Sequence, residues 1–432
     1  MKVRKMLRRV ELKNFRIFKY ISQTLEEFEI LVGANATGKT TFLDSISFVS
    51  DIISIGLESA VEKRVSIYND LTWSGIGGSI EIGLEFALPQ TIISKLDKNK
   101  NFDTIRYEIK IGINDQTQEL SIQGERVLLM DNKQITYPKK EFTLFPQFED
   151  DNNPVYNKVF KNQDNNKVFK RVVNKKPEGN DSFYPEKYER ESSGWIPSFK
   201  LGYKKSALAN LPADEEKFPA SVWLKDYLNE GIQVFMLNSL SIRMASRPGQ
   251  GKNFRPDGSN LPWVIDEFKK QNKNKYTQWL QHLQTALPDI TDINVLENPD
   301  NKYKYIKLVY KNNIEVPSWL VSDGTLRLLA LTIIAYLPVF KGIYLIEEPE
   351  NGIHPKAIET VYQSLSSVYD AQILVASHSS IFLSIAELNN ILCFGKTSDG
   401  IGVIVKGIEH PRLKNWKGET NLSNLFAGGI LG

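Results

Sequence analysis

A glycine-rich loop between an apolar strand and a helix is the feature that most restricts how this chain can fold. Residues 33–40 (GANATGKT) fit the pattern G-x-x-x-x-G-K-[ST]. The loop follows a segment with an apolar end, residues 25–33, and residues 40–55 carry apolar side chains at helical spacing. In this context the glycines let backbone N–H groups point at phosphate oxygens at a helix N-terminus. The sequence therefore predicts a phosphate-binding loop rather than a chance glycine turn.

The residue types of this loop have separate predicted roles. Lys39 is expected to reach the terminal phosphates of a bound nucleotide, and the hydroxyl of Thr40 is expected to bind Mg²⁺. Other residues of the loop and of the helix start complete the predicted contacts to ATP: Gly33, Asn35, Thr37, Gly38 and Thr41.

Two carboxylates end an apolar strand near the other end of the chain, at residues 343–348 (IYLIEE). A buried parallel strand delivers such side chains to the ligand crevice at its carboxyl end. Glu347 is expected to bind Mg²⁺, directly or through water, and Glu348 to take a proton from an attacking water. The alternative is a strand that runs into a solvated acidic turn, and the glycine-rich loop favours the catalytic interpretation.

Two further segments have both an ordinary and a functional interpretation. Ser322 and Gly324 open a helix, where a serine is usually a helix cap, although such a turn also binds anions. His378 follows an apolar strand at residues 371–377, where a histidine is more often structural. Because that strand is the next one after Glu348, His378 is also able to reach the same crevice and hydrogen-bond a γ-phosphate.

The order and spacing of these motifs separate the classes of nucleotide-binding protein. About three hundred residues lie between the glycine-rich loop and the acidic strand end, whereas GTPases and kinases place the equivalent parts much closer together. The chain resembles the RecF/SMC/OLD-like branch of ABC-type AAA-family ATPases. The segments that carry the resemblance are VELKNFRIFK (10–19), LVGANATGKTTFLDSISF (31–48), DGSNLPWVIDE (257–267), WLVSDGTLRLLAL (319–331), IYLIEEPENGIHP (343–355) and VASHSSIFL (375–383).

The resemblance implies a role for each motif. By this resemblance, Lys39 and Thr40 belong to the Walker A motif, and Glu347 and Glu348 form the Walker B pair. Ser322 and Gly324 belong to the signature motif, and residues 350–354 lie in the D-loop. His378 is the implied switch histidine, and Arg16 is the implied basic residue near the nucleotide. Two residues depart from the family pattern. Ala36 replaces a glycine, which should stiffen the loop, and Glu347 replaces the commoner aspartate.

The implied fold is α/β: an ABC-ATPase-like P-loop head with a mixed or parallel sheet, an antiparallel β lobe, a central insertion and no long coiled coil. Alternating apolar residues predict the lobe strands at 79–88, 105–113 and 119–130. The expected domains are an N-terminal head part (1–130), a polar basic and aromatic insertion (131–220), and a helical segment with the C-terminal head part (221–432).

The composition indicates which cellular compartment and which classes of protein are compatible with the chain. A formal net charge of +3 excludes a histone-like polycation. The single cysteine, Cys393, is unable to form an internal disulfide, which favours a reducing, cytoplasmic location. The longest apolar stretch, residues 328–340, is too short for a membrane span.

The resemblance suggests a nucleotide-switched sensor or motor subunit of a bacterial defence system against foreign DNA, working with an effector protein in trans. The alternatives are a RecF-like DNA repair ATPase and an assembly scaffold with slow turnover. In ABC heads the signature motif caps the nucleotide of an opposite subunit, so a homodimer is implied.

Residues 158–205 carry twelve Lys or Arg against six Asp or Glu and several aromatics, which fits either DNA-backbone contact or a protein-binding insertion. The acids at 149–151 lie in a polar run, and the acids among the 54 residues after His378 show no paired metal-ligand spacing, so the chain is not expected to be a nuclease itself.

Overall fold

The computed structural model describes residues 6–96, 101–133, 169–176, 179–187, 197–251, 253–337, 340–413 and 422. The chain forms two compact units. The first contains the described residues up to Ile232 and again from Leu388 to residue 413, and the second contains Gln233–Glu387. The glycine-rich loop lies in the first unit, and the acidic strand end lies in the second.

The described residues form strands and helices along both units. The strands are β1 (Leu7–Phe15), β2 (Phe18–Thr24), β3 (Phe28–Val32), β4 (Ile80–Ala87), β5 (Thr104–Ile113), β6 (Leu120–Met130), β7 (Phe169–Lys175), β8 (Asp181–Phe183), β9 (Ser198–Phe199), β10 (Ile232–Phe235), β11 (Ile290–Glu297), β12 (Lys304–Tyr310), β13 (Ile314–Pro317), β14 (Ile343–Glu347), β15 (Gln372–Ala376), β16 (Ile391–Lys396) and β17 (Gly402–Lys406). The helices are α1 (Lys39–Ile55), α2 (Leu57–Glu62), α3 (Gln90–Ile93), α4 (Pro219–Glu230), α5 (Ser239–Arg243), α6 (Leu261–Gln271), α7 (Lys273–Ala286), α8 (Asp323–Ile333), α9 (Pro355–Ser366) and α10 (Ser380–Ile385).

An antiparallel sheet of the first unit has the strand order β2-β1-β4-β5-β6-β7-β8-β9. The three strands predicted from alternation are confirmed as β4, β5 and β6. Strands β7 to β9 lie within the predicted insertion, and their described residues extend this sheet. No alternation marks them because a register shift at Val127/Leu128 offsets the pairing of β6 with β7, and because the buried Lys175 pairs with Asp181 at 3.1 Å.

Buried ion pairs hold one face of this sheet. The side chain of Arg106 is fully buried and contacts Glu11 at 2.6 Å, Glu85 at 2.5 Å and Glu108 at 2.8 Å. Arg126 also contacts Glu108, at 2.9 Å. Buried charges persist only when they are paired and hydrogen-bonded. The polar residues of these strands therefore face one another inside the protein instead of facing water.

The first unit also contains the strand that leads into the glycine-rich loop. Strand β3 pairs in parallel with β16, which pairs antiparallel with β17. Helix α1 follows the loop, as predicted, and buries Phe42 against Phe394 of β16 with ring centroids 5.7 Å apart. The hydroxyl of Ser50 on α1 donates to the carbonyl of Leu228 on α4 at 2.5 Å, so α4 supports the helix of the loop.

In the second unit, β14 and β15 pair in parallel, with Glu347 opposite Ala376. Strand β10 lies beside β14, and β11, β12 and β13 form a separate antiparallel sheet. Side-chain hydrogen bonds connect the helices, as between Trp279 Nε1 of α7 and Thr332 Oγ1 of α8 at 2.9 Å. Among the described residues the longest helix is α1, with 17 residues, and none is long and apolar enough to cross a membrane.

A buried carboxylate caps the N-terminus of α4. Glu186 accepts hydrogen bonds from the backbone N–H of Ala220 at 2.6 Å, and from the N–H and hydroxyl of Ser221 at 2.8 and 2.7 Å. Burial nevertheless raises the pKa of Glu186 from its ordinary 4.5 to about 6. The folded protein therefore binds a proton at Glu186 more tightly than the unfolded chain does.

We predict that replacing Glu186 with Gln changes how stability depends on pH. Because the folded-state pKa is raised, the stabilising contribution of this group is complete below pH 4.5 and is lost as pH rises through 6. The unfolding free energy of the wild type, minus that of Glu186→Gln, should fall by about 1 kcal/mol between pH 5 and pH 7. Denaturant unfolding at both pH values measures it. Glu230→Gln, exposed at the other end of α4, is the control, and an identical profile for both variants would contradict the prediction.

Candidate active site

The glycine-rich loop of the first unit wraps around its own lysine. The side chain of Lys39 is buried, and Nζ donates to the carbonyl oxygens of Gly33 and Ala34, both at 2.9 Å. The hydroxyl of Thr37 donates to the same Ala34 carbonyl, also at 2.9 Å. These hydrogen bonds fix an ammonium group within the loop, which is the charge that a phosphate requires.

Two glycines of the loop have no room for a side chain. A Cβ atom on Gly33 would lie 2.3 Å from the carbonyl oxygen of Phe394, and one on Gly38 would lie 2.7 Å from the ring of Phe18. Gly38 also has a φ of 106° and is the N-cap of α1, whose first turn has no acidic side chain. The loop thus forms a close backbone cradle at a helix N-terminus, and these features fit a bound phosphate. The motif predicted the glycines, but nothing in it identified Phe18 and Phe394.

The other predicted nucleotide contacts lie around this cradle. Asn35 and Thr40 are exposed, and Thr41 is half-buried. Arg16 lies between β1 and β2, and its guanidinium is 3.3 Å from Asp44 of helix α1. Arg16 therefore lies beside the helix that begins at the loop, and its contact with a nucleotide stays a prediction.

In the second unit the predicted acidic residues and the predicted histidine share one edge of two parallel strands. Glu347 is the last residue of β14, and the N–H of Glu348 donates to the carbonyl of Ala376, the last residue of β15, at 2.8 Å. His378 follows two residues later. Glu348 has a φ of 44°, a conformation that non-glycine residues rarely adopt, and its carboxylate accepts a hydrogen bond from the side-chain amide of Asn351. Backbone strain of this kind is concentrated at functional sites.

The segment after Glu348 connects back to the histidine. One carboxylate oxygen of Glu350, Oε1, accepts hydrogen bonds from the hydroxyl of Ser377 and from the backbone N–H of His378, both at 2.8 Å. His354 is exposed, and its Nδ1 accepts from the N–H of Lys356 at the start of α9. The sequence pattern assigned residues 350–354 to the D-loop but gave no sign of the Glu350 contacts.

The signature residues have the structural role that the ordinary interpretation describes. Ser322 is the N-cap of α8, and its hydroxyl accepts from the N–H of Thr325 at 3.2 Å. A Cβ atom on Gly324 would lie 2.2 Å from the carbonyl oxygen of Gly352, so this glycine is required for packing within the second unit. Ser322 is nevertheless exposed, and its contact with another subunit stays a prediction.

The described part of the basic insertion is less available to nucleic acid than its composition suggests. Lys175 is buried against Asp181, and Lys170 Nζ donates to the carbonyl of Glu186 at 2.9 Å. These two lysines stabilise β7 and its surroundings. Other predicted contact residues, Lys167, Tyr188 and Trp195, lie outside the described residues, as do the acids at 149–151. DNA contact through this region stays a prediction.

Comparison with known proteins gives the same fold. Residues 29–384 match the family described as "AAA domain, putative AbiEii toxin, Type IV TA system". The chain is 22% identical over 409 residues to the "Retron Vc95 probable ATPase" of Vibrio cholerae serotype O1 biovar El Tor, a match that spans 88% of this chain and 71% of that protein. It also resembles a crystal structure of an SmcHead bound to the C-winged helix domain of ScpA, with a TM-score of 0.50, 15% identity, and coverage of 93% and 97%. This structural likeness confirms the predicted α/β head fold.

The alanine that replaces a glycine in the loop lies in a left-handed conformation. Ala36 has a φ of 60°, which a Cβ atom disfavours by about 1–2 kcal/mol. The sequence predicted that this alanine stiffens the loop. The left-handed conformation of Ala36 shows that the replacement also has a steric cost.

We predict that Ala36→Gly leaves stability unchanged or raises it by up to about 1 kcal/mol, because relief of the left-handed strain offsets the greater entropy of the unfolded chain. Ala34→Gly is a matched control in the same exposed stretch. Its φ is not positive, so it should destabilise the protein by about 0.5–1 kcal/mol. Denaturant unfolding of both variants compares them. Equal destabilisation by the two changes would show that Ala36 is not strained.

Proposed function

Because the chain belongs to the family described as "AAA domain, putative AbiEii toxin, Type IV TA system", we propose that it is an ATP-binding and ATP-hydrolysing subunit of a bacterial defence system. The observation that carries the proposal is the buried Lys39, which lies inside a loop whose backbone leaves no room for a side chain at Gly33 or Gly38. The acidic edge of the second unit, with Glu348 next to the strand that precedes His378, supports hydrolysis as well as binding.

The proposed reaction assigns roles to the predicted residues. Lys39 and the backbone N–H groups of the loop bind the phosphates, while Thr40 and Glu347 would hold Mg²⁺. Mg²⁺ supplies neutralisation of the phosphate charge when it is bound. Glu348 accepts a proton from the attacking water, and His378 donates a hydrogen bond to the terminal phosphate.

A second copy of the chain is the proposed partner at this site. Ser322 and Asp323 are exposed at the start of α8, where a serine hydroxyl and helix N–H groups suit an anion. In the proposed dimer this segment contacts the nucleotide held by the opposite subunit. ATP then stabilises the dimer, because a ligand shared by two subunits binds their assembled form more tightly.

The defence role is supported by the relatives. One relative is named as an ATPase of a retron, and the family description refers to a toxin–antitoxin system. We propose that this chain acts in the cytoplasm as the nucleotide-switched sensor or motor, and that an effector protein in trans carries out the response to foreign DNA.

We predict that Lys39→Ala abolishes ATP binding, because the loop loses the ammonium group that neutralises phosphate. Glu348→Gln should keep ATP affinity and lower kcat by about 100-fold or more, since an amide does not take a proton from water. Nucleotide titration and steady-state phosphate release measure the two effects. Glu359→Gln, an exposed change on α9, should leave both unchanged. Equal ATP affinity of wild type and Lys39→Ala would refute the assignment of the loop.

We predict that the chain protects cells from phage only together with the product of a neighbouring effector gene, and that Glu348→Gln removes this protection because the effector no longer receives the nucleotide signal. Plating efficiency of phage on cells with both genes, with either gene, and with the variant tests this. The purified chain should leave linear and supercoiled DNA intact with Mg²⁺ or Mn²⁺. Protection by the chain alone, or DNA cleavage that Lys39→Ala retains, would argue against an effector in trans.

A further inference from the structure

Glu350 occupies an unusual place in the second unit. Its Oε1 atom accepts hydrogen bonds from the hydroxyl of Ser377 and from the backbone N–H of His378. It therefore connects the segment after β14 to the segment after β15, at the edge where Glu348 also lies. A backbone N–H bonded to a fixed carboxylate restricts where the side chain of the same residue starts, so Glu350 limits the positions of the His378 imidazole.

The other oxygen of this carboxylate indicates that the contact is more than local stabilisation. Glu350 Oε2 is buried and accepts no hydrogen bond from the residues that the structure describes. A buried carboxylate oxygen without a donor is destabilising. Such atoms call for an explanation, and a role in the function of the site is one such explanation.

The positively charged side chain of Arg327, on helix α8, interacts with this carboxylate. Burial lowers the pKa of Arg327 on α8, whereas the negative charges of Asp323, Glu350 and Glu348 raise it. The Nε atom of Arg327 is also buried without an acceptor among the described residues. The guanidinium lies next to the D-loop, because its Cδ is 4.0 Å from the position that a Cβ atom on Gly352 would take. The guanidinium of Arg327 is thus close enough to the Glu350 carboxylate for the two opposite charges to attract each other.

We propose that Glu350 is a positioning residue for ATP hydrolysis: its Oε1 atom holds the backbone of His378 so that the imidazole is oriented at the edge that carries Glu348. This inference rests on the proposed function, in which His378 contacts the terminal phosphate. It adds that the orientation of the histidine depends on a residue that does not itself contact the nucleotide.

A double-mutant cycle between Glu350 and His378 tests the proposal. Glu350→Ala should lower kcat about tenfold or more while the affinity for a non-hydrolysable ATP analogue stays within about twofold, because binding does not require the histidine. In a His378→Ala background the same change should have no further effect on kcat, since there is no imidazole left to orient. Glu359→Ala, an exposed change on α9, should leave kcat unchanged in both backgrounds.

Two further variants separate positioning from a general loss of structure. Glu350→Gln keeps an acceptor oxygen for Ser377 and His378, so it should retain most of the activity that Glu350→Ala loses. Ser377→Ala removes one of the two hydrogen bonds without changing the carboxylate, and its smaller loss should also vanish without His378. It serves as the test if Glu350→Ala does not fold.

The proposal is overturned if the losses from Glu350→Ala, or from Ser377→Ala, multiply with that of His378→Ala, or if Glu350→Gln is as inactive as Glu350→Ala. A wild-type chain that binds ATP analogue but releases no phosphate would instead refute the proposed hydrolysis, which the wild-type measurement shows before any variant is compared.

Discussion

The close approach of the loop backbone to its neighbours is the constraint on which the first unit depends. At Gly33 the backbone passes so near the carbonyl of Phe394 that no Cβ atom fits, and at Gly38 it rests on the ring of Phe18. This contact lets the loop wrap around Lys39 and lets α1 begin at Lys39 without a side-chain cap. Strand β16 and the β1–β2 hairpin are therefore part of the phosphate site, although neither contains the glycine-rich motif. Larger residues at Gly33 or Gly38 would displace the loop from both supports.

In the second unit the register of two paired strands positions the proposed catalytic residues. Parallel pairing places Glu347 opposite Ala376, so the residues after both strands emerge at one edge. The hydrogen bond from the N–H of Glu348 to Ala376 extends the pairing by one residue, and it holds Glu348 at a φ of 44°. Strain of this kind persists only where surrounding structure fixes the backbone. The two paired strands thus bring Glu348 close to the segment that contains His378, and they hold both in a fixed orientation.

The parts of the structure that the sequence predicts are those with a local or periodic signal. The spacing of apolar residues predicts helix α1 and strands β4 to β6, whereas motif order gives the proposed site residues, whose roles stay predictions. The contacts of Phe18, Phe394 and Glu350 were not predicted, because they join residues far apart in the chain. Alternation also misleads where polar residues pair with one another: Arg106 has the position of a solvent-facing residue in its strand and is fully buried among carboxylates.

The signature segment shows why an ordinary and a functional interpretation of one residue need not exclude each other. The hydroxyl of Ser322 accepts from the N–H of Thr325, a cap that is worth about 1 kcal/mol. A phosphate oxygen in the proposed dimer would offer the same helix N–H groups a stronger, charged acceptor and would leave the hydroxyl free to donate. The exchange costs little, since one hydrogen bond replaces another. A capping serine would therefore stabilise α8 in the isolated subunit and, in the proposed dimer, would leave the helix N-terminus available to an anion.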